Sequence, residues 1–298
     1  MSKRIVIAGA SGLIGASLTT ALRERGDTVI SLVRRAPASP LEAQWEPSHG
    51  GLDPQVLAGA DAVVVLNGAS IGKLPWTEAY RQELISSRVN PVATVALALS
   101  KLASGAAPML VSASAVGFYG DQPGVVLDES GAPGQTFLAR LCQRWEEQAL
   151  QAQDFAPVAL LRTAPVVDTG AFLRPLIALT KLGLAGPLAG GAQVWPWISL
   201  SDEVNAIIHV IDHRLTGPVN LCGPTPVTAN AIGREVAKQL RRPFWLPAPA
   251  LGLRLVLGHD AAQCLLLADA DVRPTALEDA GFVFEHRTVA QAIEAALN

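Results

Sequence analysis

Two adjoining stretches near the start of the chain decide the fold: the apolar run Ile5-Val6-Ile7-Ala8 and the loop Gly9-Ala10-Ser11-Gly12-Leu13-Ile14-Gly15. The β-branched residues of the first stretch predict a buried strand. Residues 13–25 carry apolar side chains at helical spacing, and Gly26 follows in the position that ends a helix. The opening of the chain therefore predicts a strand, a glycine-rich turn and a helix.

The three glycines of this turn suit the binding of a diphosphate. Gly9 permits the sharp turn, Gly12 lets the backbone approach the ligand, and Gly15 lets the helix pack closely on the strand. The helix N-terminus adds amide donors and a partial positive charge. We therefore predict a dinucleotide-binding loop with the contact residues Gly9, Ser11, Gly12, Leu13, Ile14 and Gly15. The alternative is that the glycines only pack the turn.

Short apolar runs alternate with amphipathic segments as far as Asp168. The predicted strands are Thr28–Val33, 62–66, 109–112 and 158–162, and the predicted helices are 78–87, 91–102 and 137–151. Continuous apolar strands separated by helices are typical of a parallel sheet that is covered on both faces. The predicted fold class is α/β, a Rossmann-type doubly wound parallel sheet.

Beyond Asp168 the sequence becomes rich in glycine and proline, and we predict a division of the chain there. Residues 1–168 form the predicted nucleotide-binding domain, and residues 169–298 form a smaller, mostly C-terminal region that caps the site. Helices are predicted at 202–215, 229–241 and Val289–Leu297. A short strand at 219–222 is expected to return to the main sheet.

Composition excludes several classes of protein. The 298 residues are 50% hydrophobic, and 23 Lys+Arg against 26 Asp+Glu give a net charge of −3, so the chain is neither disordered nor broadly basic. The near-neutral charge balance gives no basic footprint for a nucleic acid and no polybasic patch for a membrane, so we expect neither partner. No apolar run reaches the roughly 18–20 residues of a spanning helix. Three scattered cysteines and the lack of a signal-like N-terminus predict a cytoplasmic, reducing location.

The end of the second predicted strand, Ser31-Leu32-Val33-Arg34-Arg35, indicates which dinucleotide the loop holds. A site for NAD places Asp or Glu there to accept a hydrogen bond from the ribose 2′-hydroxyl. Two guanidinium groups cannot accept that bond, but they suit a 2′-phosphate through charge and fork geometry. We predict NADP(H) as cofactor, with Arg34 the first choice and Arg35 the second. The alternative is that both are ordinary surface charges.

Two further strand ends carry candidate site residues. Asn67, Gly68 and Ala69 follow the strand at 62–66, and Ser114 and Tyr119 follow the strand at 109–112. Ligands bind at the carboxyl ends of the strands in an open α/β sheet, so Gly68 would give a cofactor access to the backbone. The hydroxyls would lie where a nicotinamide ring and a substrate meet.

A metal site is not predicted. His209 and His213 are four residues apart on a predicted helix, a spacing that can bind zinc. The glutamate of the His-Glu-x-x-His motif is missing between them, and both histidines fall largely on the polar side of that helix.

The chain resembles an extended short-chain dehydrogenase/reductase, and more narrowly the atypical epimerase family proteins with a distinctive C-terminal domain, some of which are named as cell-division inhibitors. The stretches that carry this resemblance are the Gly-x-x-Gly-x-x-Gly loop at 9–15, 59–69, Trp76-Thr77-Glu78, Ser87-Arg88-Val89-Asn90, 111–120, Leu161-Arg162-Thr163, 197–202 and a tail that begins near Pro243. The resemblance implies a Rossmann-type fold, NADP, and a substrate pocket between the sheet and the C-terminal part. It also implies that Thr163 contacts the nicotinamide and that the chain forms a homodimer, as members of the superfamily often do.

The acid–base pair of that superfamily, Tyr-x-x-x-Lys, is missing. In relatives the lysine lowers the pKa of the tyrosine, while a serine matched here by Ser114 steadies the developing oxyanion. Aligning the helix on Trp145-Glu146 puts Leu138 in the place of the tyrosine and Cys142 in that of the lysine. Any proton relay would need other groups, such as Tyr119 with Ser114. The alternatives are that Tyr119 is a structural phenol and Ser114 an ordinary buried hydroxyl.

Two hypotheses about function follow. The first is an NADP(H)-dependent oxidoreductase or epimerase that acts on a small polar metabolite through an unusual proton path. The second is a catalytically silent NADP(H)-binding sensor that reports redox state to a partner. An intact cofactor loop together with a missing acid–base pair agrees with both.

Overall fold

A computed structural model describes residues 2–103 and 105–298. The strands of this part are β1 (Arg4–Ala8), β2 (Thr28–Val33), β3 (Glu42–Gln44), β4 (Ala62–Val65), β5 (Met109–Ala115), β6 (Val126–Leu127), β7 (Val158–Thr163), β8 (Val166–Val167), β9 (Ile198–Ser199), β10 (Gly217–Leu221) and β11 (Asp271–Val272). The α-helices are α1 (Leu13–Glu24), α2 (Glu78–Leu99), α3 (Phe137–Leu150), α4 (Leu173–Lys181), α5 (Leu200–His213), α6 (Ala229–Gln239), α7 (Ala250–Leu257), α8 (His259–Ala262), α9 (Thr275–Asp279) and α10 (Val289–Leu297). Single 3₁₀ turns occur at Pro54–Val56 and Val116–Tyr119, and a π-helical turn at Gln263–Leu267.

A parallel sheet of seven strands, in the order β10-β7-β5-β4-β1-β2-β3, forms the centre of the molecule. The register pairs Ile5 with Val29 on one side and with Ala62 on the other. The order reverses at β1, with β2 and β3 on one side and β4, β5, β7 and β10 on the other. This is the doubly wound arrangement, so the predicted fold class is confirmed.

Helices cover both faces of the sheet because the strands are apolar on both. One face packs against α1 and α5, through residues such as Leu18, Leu22 and Ile207. The other face packs against α2 and α3, through residues such as Leu84 and Trp145. The carboxyl ends of the strands are therefore held between two helical layers.

The C-terminal part has an apolar cluster of its own. Trp197, Ile232, Val236 and Ile293 are buried together where α6 and α10 meet β9. Nevertheless β10 pairs with β7 in the main sheet, so the chain crosses back to the nucleotide-binding part. The division at residue 168 stays a prediction. No helix within residues 2–103 and 105–298 is both long and apolar enough to span a bilayer.

The structure corrects the predicted helices at 78–87 and 91–102, which form the single helix α2 with Pro91 inside it. An interior proline costs about 3 kcal/mol, because it removes a hydrogen bond and crowds the preceding turn. Buried residues on both sides of it, Leu84 and Val95 among them, hold the two halves of α2 against the same face of the sheet. Tertiary packing thus overrides the local signal.

Candidate functional site

The candidate site is the crevice at the carboxyl end of β1, where the strand order reverses. The chain leaves β1 at Gly9 and leaves β4 at Leu66, and Leu66 N donates a hydrogen bond to Ala8 O at 2.9 Å. Ligands of open α/β sheets bind at such a switch point.

Close contacts require glycine at two positions of the loop. Gly9 has φ of +89°, and a Cβ there would lie 3.0 Å from the carbonyl carbon of Leu66. A Cβ on Gly15 would lie 2.2 Å from Gly9 O, closer than any real contact. Gly12 N donates to Gly9 O at 3.1 Å, which closes the turn. Strand β1, the loop and helix α1 thus form one tight unit, as the glycine spacing predicts.

The first turn of α1 is left open for a ligand. Its N-cap is Gly12, which has no side chain to accept from the amides of the first turn, and that turn contains no acidic residue. Ser11 and Leu13 are exposed, and Ile14 is partly buried against the core. Unsatisfied amides and the helix dipole make such a terminus suitable for an anion.

The two arginines after β2 differ in their surroundings. Arg35 donates two hydrogen bonds to the Glu42 carboxylate, at 2.8 and 2.6 Å, and these bonds lower the pKa of Glu42 to about 2. Arg34 is exposed and forms no ion pair with another residue that the structure describes. The charge of Arg35 is therefore balanced within the chain, whereas that of Arg34 is available to a ligand.

The loop after β4 is fixed from α2. Ala69 N donates to Ser87 Oγ at 2.9 Å, and Arg88 Nη2 donates to Ala69 O at 3.0 Å. A Cβ on Gly68 would lie 3.0 Å from Arg88 Cζ, so the guanidinium lies flat against the glycine. Asn67 Oδ1 is buried and accepts no hydrogen bond from the described residues. An orphaned acceptor at the switch point indicates a missing donor.

Sequence reasoning missed the role of Arg88, although Ser87-Arg88-Val89-Asn90 is among the stretches that carry the family resemblance. Its guanidinium lies 5.4 Å from the centre of the Trp145 ring. Burial lowers the pKa of Arg88, and Cys142 and Tyr80 nearby partly offset that effect. A cation from α2 therefore lies beside Cys142, the residue in the place of the family's lysine.

Ser114 and Tyr119 belong to a buried polar network. Ser114 Oγ donates to Glu146 Oε1 at 2.6 Å, and Glu146 is paired with Arg162 at 2.9 Å. Arg162 Nη1 also donates to the Tyr119 hydroxyl at 2.9 Å, and that hydroxyl donates to Asn220 Oδ1 at 2.7 Å. Both hydroxyls are thus engaged by the protein itself.

This placement corrects the expectation that both hydroxyls face the pocket. The Tyr119 side chain is completely buried, and burial raises the pKa of its phenol to about 12. Ser114 is also buried and lies on the α3 side of the sheet. The physical reason is that an arginine and a glutamate placed in the core recruit the nearest hydroxyls to satisfy their charges.

Leu138 and Cys142 fill the space of the missing pair. Both are buried on α3, and a Cβ on Gly117 would lie 3.5 Å from Leu138 Cβ and 4.0 Å from Cys142 Sγ. Burial raises the pKa of the Cys142 thiol to about 12, so the thiol remains protonated. Neither side chain can exchange protons near neutral pH.

Thr163 lies at the end of β7, but its hydroxyl faces α5. Thr163 Oγ1 donates to Glu203 Oε1 at 2.9 Å, while Glu203 Oε2 has no partner among the residues described. Glu203 is fully buried, and burial raises its pKa to about 8. The protonated side chain of Glu203 thus lies next to Thr163, the residue that, by the family resemblance, would contact the nicotinamide.

A cavity of about 570 Å³ lies between the N-terminus of α3 and helix α8. Its lining is mostly polar and includes Thr136, Arg140, Asp121 and His259, together with Phe137, which precedes Leu138. Its volume is in the range of small-molecule sites. Sequence patterns did not show this cavity, because α3 and α8 are brought together only by the tertiary fold.

Asp260 and His259, which line this cavity, are linked to Arg81 outside it. Arg81 Nη1 donates to Asp260 Oδ2 at 2.7 Å, and His259 Nδ1 lies 3.3 Å from Asp260 Oδ1. The hydrogen bonds from Arg81 and His259 lower the pKa of Asp260. The Asp260 carboxylate is therefore ionised and can orient the exposed imidazole of His259.

The histidine pair on α5 does not converge on a common point. The rings of His209 and His213 stack at 3.9 Å, and each binds a backbone carbonyl, of Ala280 and His209 respectively. In the ranges 2–103 and 105–298, no three His, Cys, Asp or Glu side chains come together as a metal site would require.

Comparison with known proteins shows the family and the fold. The family model of the NAD dependent epimerase/dehydratase family matches residues 5–222, and that of a domain of unknown function, DUF1731, matches residues 248–296. An epimerase family protein of Mycobacterium tuberculosis is 41% identical over 97% of this chain and 96% of its own length. The chloroplastic SDR39U1 homologue of Arabidopsis thaliana is 30% identical over 98% of this chain and 86% of its own.

Among solved structures, the human epimerase family protein SDR39U1 with NADPH superposes with a TM-score of 0.88, at 26% identity and covering 99% of both chains. Fold and loop thus define a Rossmann-type protein of the extended short-chain dehydrogenase/reductase class. Within that class the chain belongs to the NAD dependent epimerase/dehydratase family, and it carries the DUF1731 domain at its C-terminal end.

Proposed function

We propose that the chain binds NADP(H) in the crevice between β1 and β4 and acts as an oxidoreductase or epimerase on a small polar metabolite. The observation that carries this proposal is the N-terminus of α1, which has no side-chain cap. The close packing of Gly15 against Gly9 fixes this N-terminus beside the end of β1. That arrangement provides unsatisfied amides at the place where a dinucleotide presents its diphosphate.

The residues of the crevice fit this cofactor. The orphaned Asn67 Oδ1 offers an acceptor to a ribose hydroxyl, and Arg34 offers an unbalanced charge to a 2′-phosphate. The human relative was crystallised with NADPH, which supports the same choice here. Arg88 holds the loop after β4 against α2, so the crevice keeps its shape.

When bound, the nicotinamide supplies hydride chemistry at its C4 atom. The chain's own contribution is to neutralise the diphosphate at α1, to orient the dinucleotide, and to hold the substrate in the polar cavity beside Phe137. For proton exchange we assign His259, because it lines this cavity and Asp260 can fix its orientation.

A second candidate function is the silent NADP(H)-binding sensor. The observation in its favour is the apolar filling of the acid–base positions by Leu138 and Cys142, together with the burial of Tyr119. A protein of this kind would bind the cofactor tightly and would not oxidise or reduce it.

Calorimetry with NADPH and NADH tests the cofactor proposal. We expect Arg34→Ala to weaken NADPH binding at least about tenfold, a typical loss for a charge-assisted contact, and to leave NADH binding unchanged. Arg35→Ala is the matched control, because its charge is already paired with Glu42. Equal weakening of both cofactors by Arg34→Ala would contradict the phosphate argument.

Absorbance of the reduced nicotinamide, followed with a panel of carbonyl compounds and nucleotide sugars, separates the two functions. Turnover that His259→Gln abolishes without loss of NADPH affinity supports the enzyme. Tight NADPH binding without turnover, and a partner whose affinity changes with the cofactor, supports the sensor.

A further inference from the structure

The charges of this chain are unevenly distributed. Residues 241–257, called here the strap, contain Arg241, Arg242 and Arg254 but no Asp or Glu. Residues 169–201 likewise contain Arg174 and Lys181 and no Asp or Glu. Since the whole chain has a net charge of −3, these two segments form an exception within an acidic protein.

The two segments lie against each other. Trp245 N and Leu246 N both donate to Ala185 O, at 2.8 and 3.1 Å, and Trp245 Nε1 donates to Gly183 O at 3.2 Å. Gly186 packs so closely that a Cβ there would lie 2.1 Å from Leu246 O. The cations at Lys181, Arg241 and Arg242 thus belong to one neighbourhood of the surface.

Large apolar side chains are exposed on both segments. Trp245 is 63% exposed and Leu182 72%, and on α7, which follows directly, Leu251, Leu255 and Val256 are 70%, 79% and 83% exposed. Helix α7 has no buried residue. Single exposed apolar residues are ordinary, but Leu182 and Trp245 lie on two hydrogen-bonded segments that also carry Lys181, Arg241 and Arg242. Exposed apolar side chains combined with cations in this way mark an interaction surface.

The charges decide what covers this surface. In a two-fold dimer both copies would present the same positively charged face, with no carboxylate in either segment to balance the arginines. An anionic bilayer balances the arginines and lysines with its headgroups and accepts tryptophan and leucine side chains at the acyl boundary.

We propose that the strap, together with residues 181–184, docks the protein on the surface of an anionic phospholipid bilayer. The protein lies on the membrane by this face and does not span it. From the net charge of the whole chain, no membrane partner is expected. Net charge is an average, however, and it conceals the local concentration of cations in these two segments. This proposal does not depend on the proposed function.

Flotation with vesicles of phosphatidylcholine, alone or mixed with phosphatidylglycerol, tests the proposal on the full chain. We expect binding only to the mixed vesicles, and weaker binding as salt is raised. Arg241→Glu combined with Arg242→Glu is expected to lower the partition coefficient by more than about 30-fold, since each cation near such a surface contributes about fivefold. Leu255→Asp combined with Val256→Asp should abolish binding, because it removes the inserted apolar side chains.

Trp245 gives a local readout. The other five tryptophans are buried: Trp45, Trp76, Trp145, Trp195 and Trp197. Quenching by brominated lipid, and a shift of emission to shorter wavelength, should therefore report Trp245 alone and should disappear in Trp245→Phe.

The matched control is Arg23→Glu combined with Arg144→Glu, which makes the same change in total charge at exposed sites on α1 and α3. We expect this variant to bind vesicles as the unmodified chain does. Equal loss of binding in the control, or no binding to the mixed vesicles, would overturn the proposal. A dimer that Leu255→Asp dissociates, without vesicle binding, would assign the face to a second copy and would also overturn it.

Discussion

Gly15 lies so close to the turn before it that a larger residue there should affect both the stability of the protein and the binding of NADPH. A Cβ there would come within 2.2 Å of Gly9 O and 2.9 Å of Ala10 Cα. Gly15→Ala must therefore push α1 away from the turn. We expect a loss of about 2–3 kcal/mol in the free energy of unfolding, as for other overpacked sites. NADPH binding should weaken by at least about tenfold. Urea unfolding and calorimetry measure the two effects.

Gly12→Ala is the control for that experiment. A Cβ on Gly12 meets only Gly9 O, at 3.5 Å, which is an ordinary contact. We expect a change in stability below about 1 kcal/mol, in the range of a surface substitution. If Gly12→Ala and Gly15→Ala cost the same stability, the approach of Gly15 to Gly9 is not the cause.

Glu203 makes the stability of the protein depend on pH. Burial raises its pKa from 4.5 to about 8, so the folded chain holds a proton that the unfolded chain has released between these values. The stabilisation is present in full below pH 4.5 and is lost as the pH rises towards 8. Relative to Glu203→Gln, we expect the free energy of unfolding to fall by up to about 1.4 kcal/mol per pH unit in this window. Urea titrations of both chains across the window measure it, and parallel curves would contradict it.

Residues with local roles could be predicted from the sequence, and residues with distant partners could not. The tight glycine turn and the place of Arg34 after β2 follow from neighbours in the chain, so the sequence predicts them, while their contacts with a cofactor stay a prediction. Ser114 was expected to face the pocket, but its direction is decided by Glu146, which is 32 residues away. The cavity at His259 likewise depends on α8 reaching α3.

At the scale of elements, α2 holds the loop after β4, which forms one side of the crevice. Arg88 spans from α2 to the loop after β4 by bonding Leu84 O and Ala69 O. We expect Arg88→Met to weaken NADPH binding about tenfold, because Gly68 and Ala69 lose the planar group that holds them. Calorimetry measures the affinity, and thermal unfolding shows that the variant is folded.

Arg88→Lys and Arg81→Met complete that test. Lysine retains the charge but cannot bond two carbonyls in one plane, so we expect it to restore little of the affinity. Arg81 is on the same helix but is paired with Asp260, so Arg81→Met should leave NADPH affinity unchanged. Full rescue by lysine would show that charge, and not the geometry of the guanidinium, supports the loop.

Helix α2 also shows that local sequence preferences alone do not predict where a helix ends. The sequence predicts a break before Pro91, since proline disfavours a helical residue in front of it. The structure continues the helix because Leu84, Val92 and Val95 are all buried on one side of the sheet. A single sequence gives the cost of the proline, but the compensating contacts appear only in three dimensions.

At the scale of the whole molecule, one buried network joins the nucleotide-binding part to the C-terminal part. Asn220 on β10 accepts from Tyr119 and donates to Arg273 O at 2.8 Å. Glu129 accepts from Asn220 N at 3.0 Å and from Ala276 N at 3.1 Å. Tyr119, which the sequence offers as a substitute proton donor, therefore belongs to a network that holds the two parts together.

This structural role predicts how the network responds to substitution. Tyr119→Phe removes two hydrogen bonds and should lower the free energy of unfolding by about 1–2 kcal/mol. Arg162→Met leaves the Glu146 carboxylate buried without its partner and should cost about 3–5 kcal/mol. NADPH affinity of Tyr119→Phe should be unchanged, because the phenol lies in the core. Loss of turnover in Tyr119→Phe at unchanged stability would contradict this role. The phenol would then act in the reaction, and the network would carry protons as well as connect the two parts.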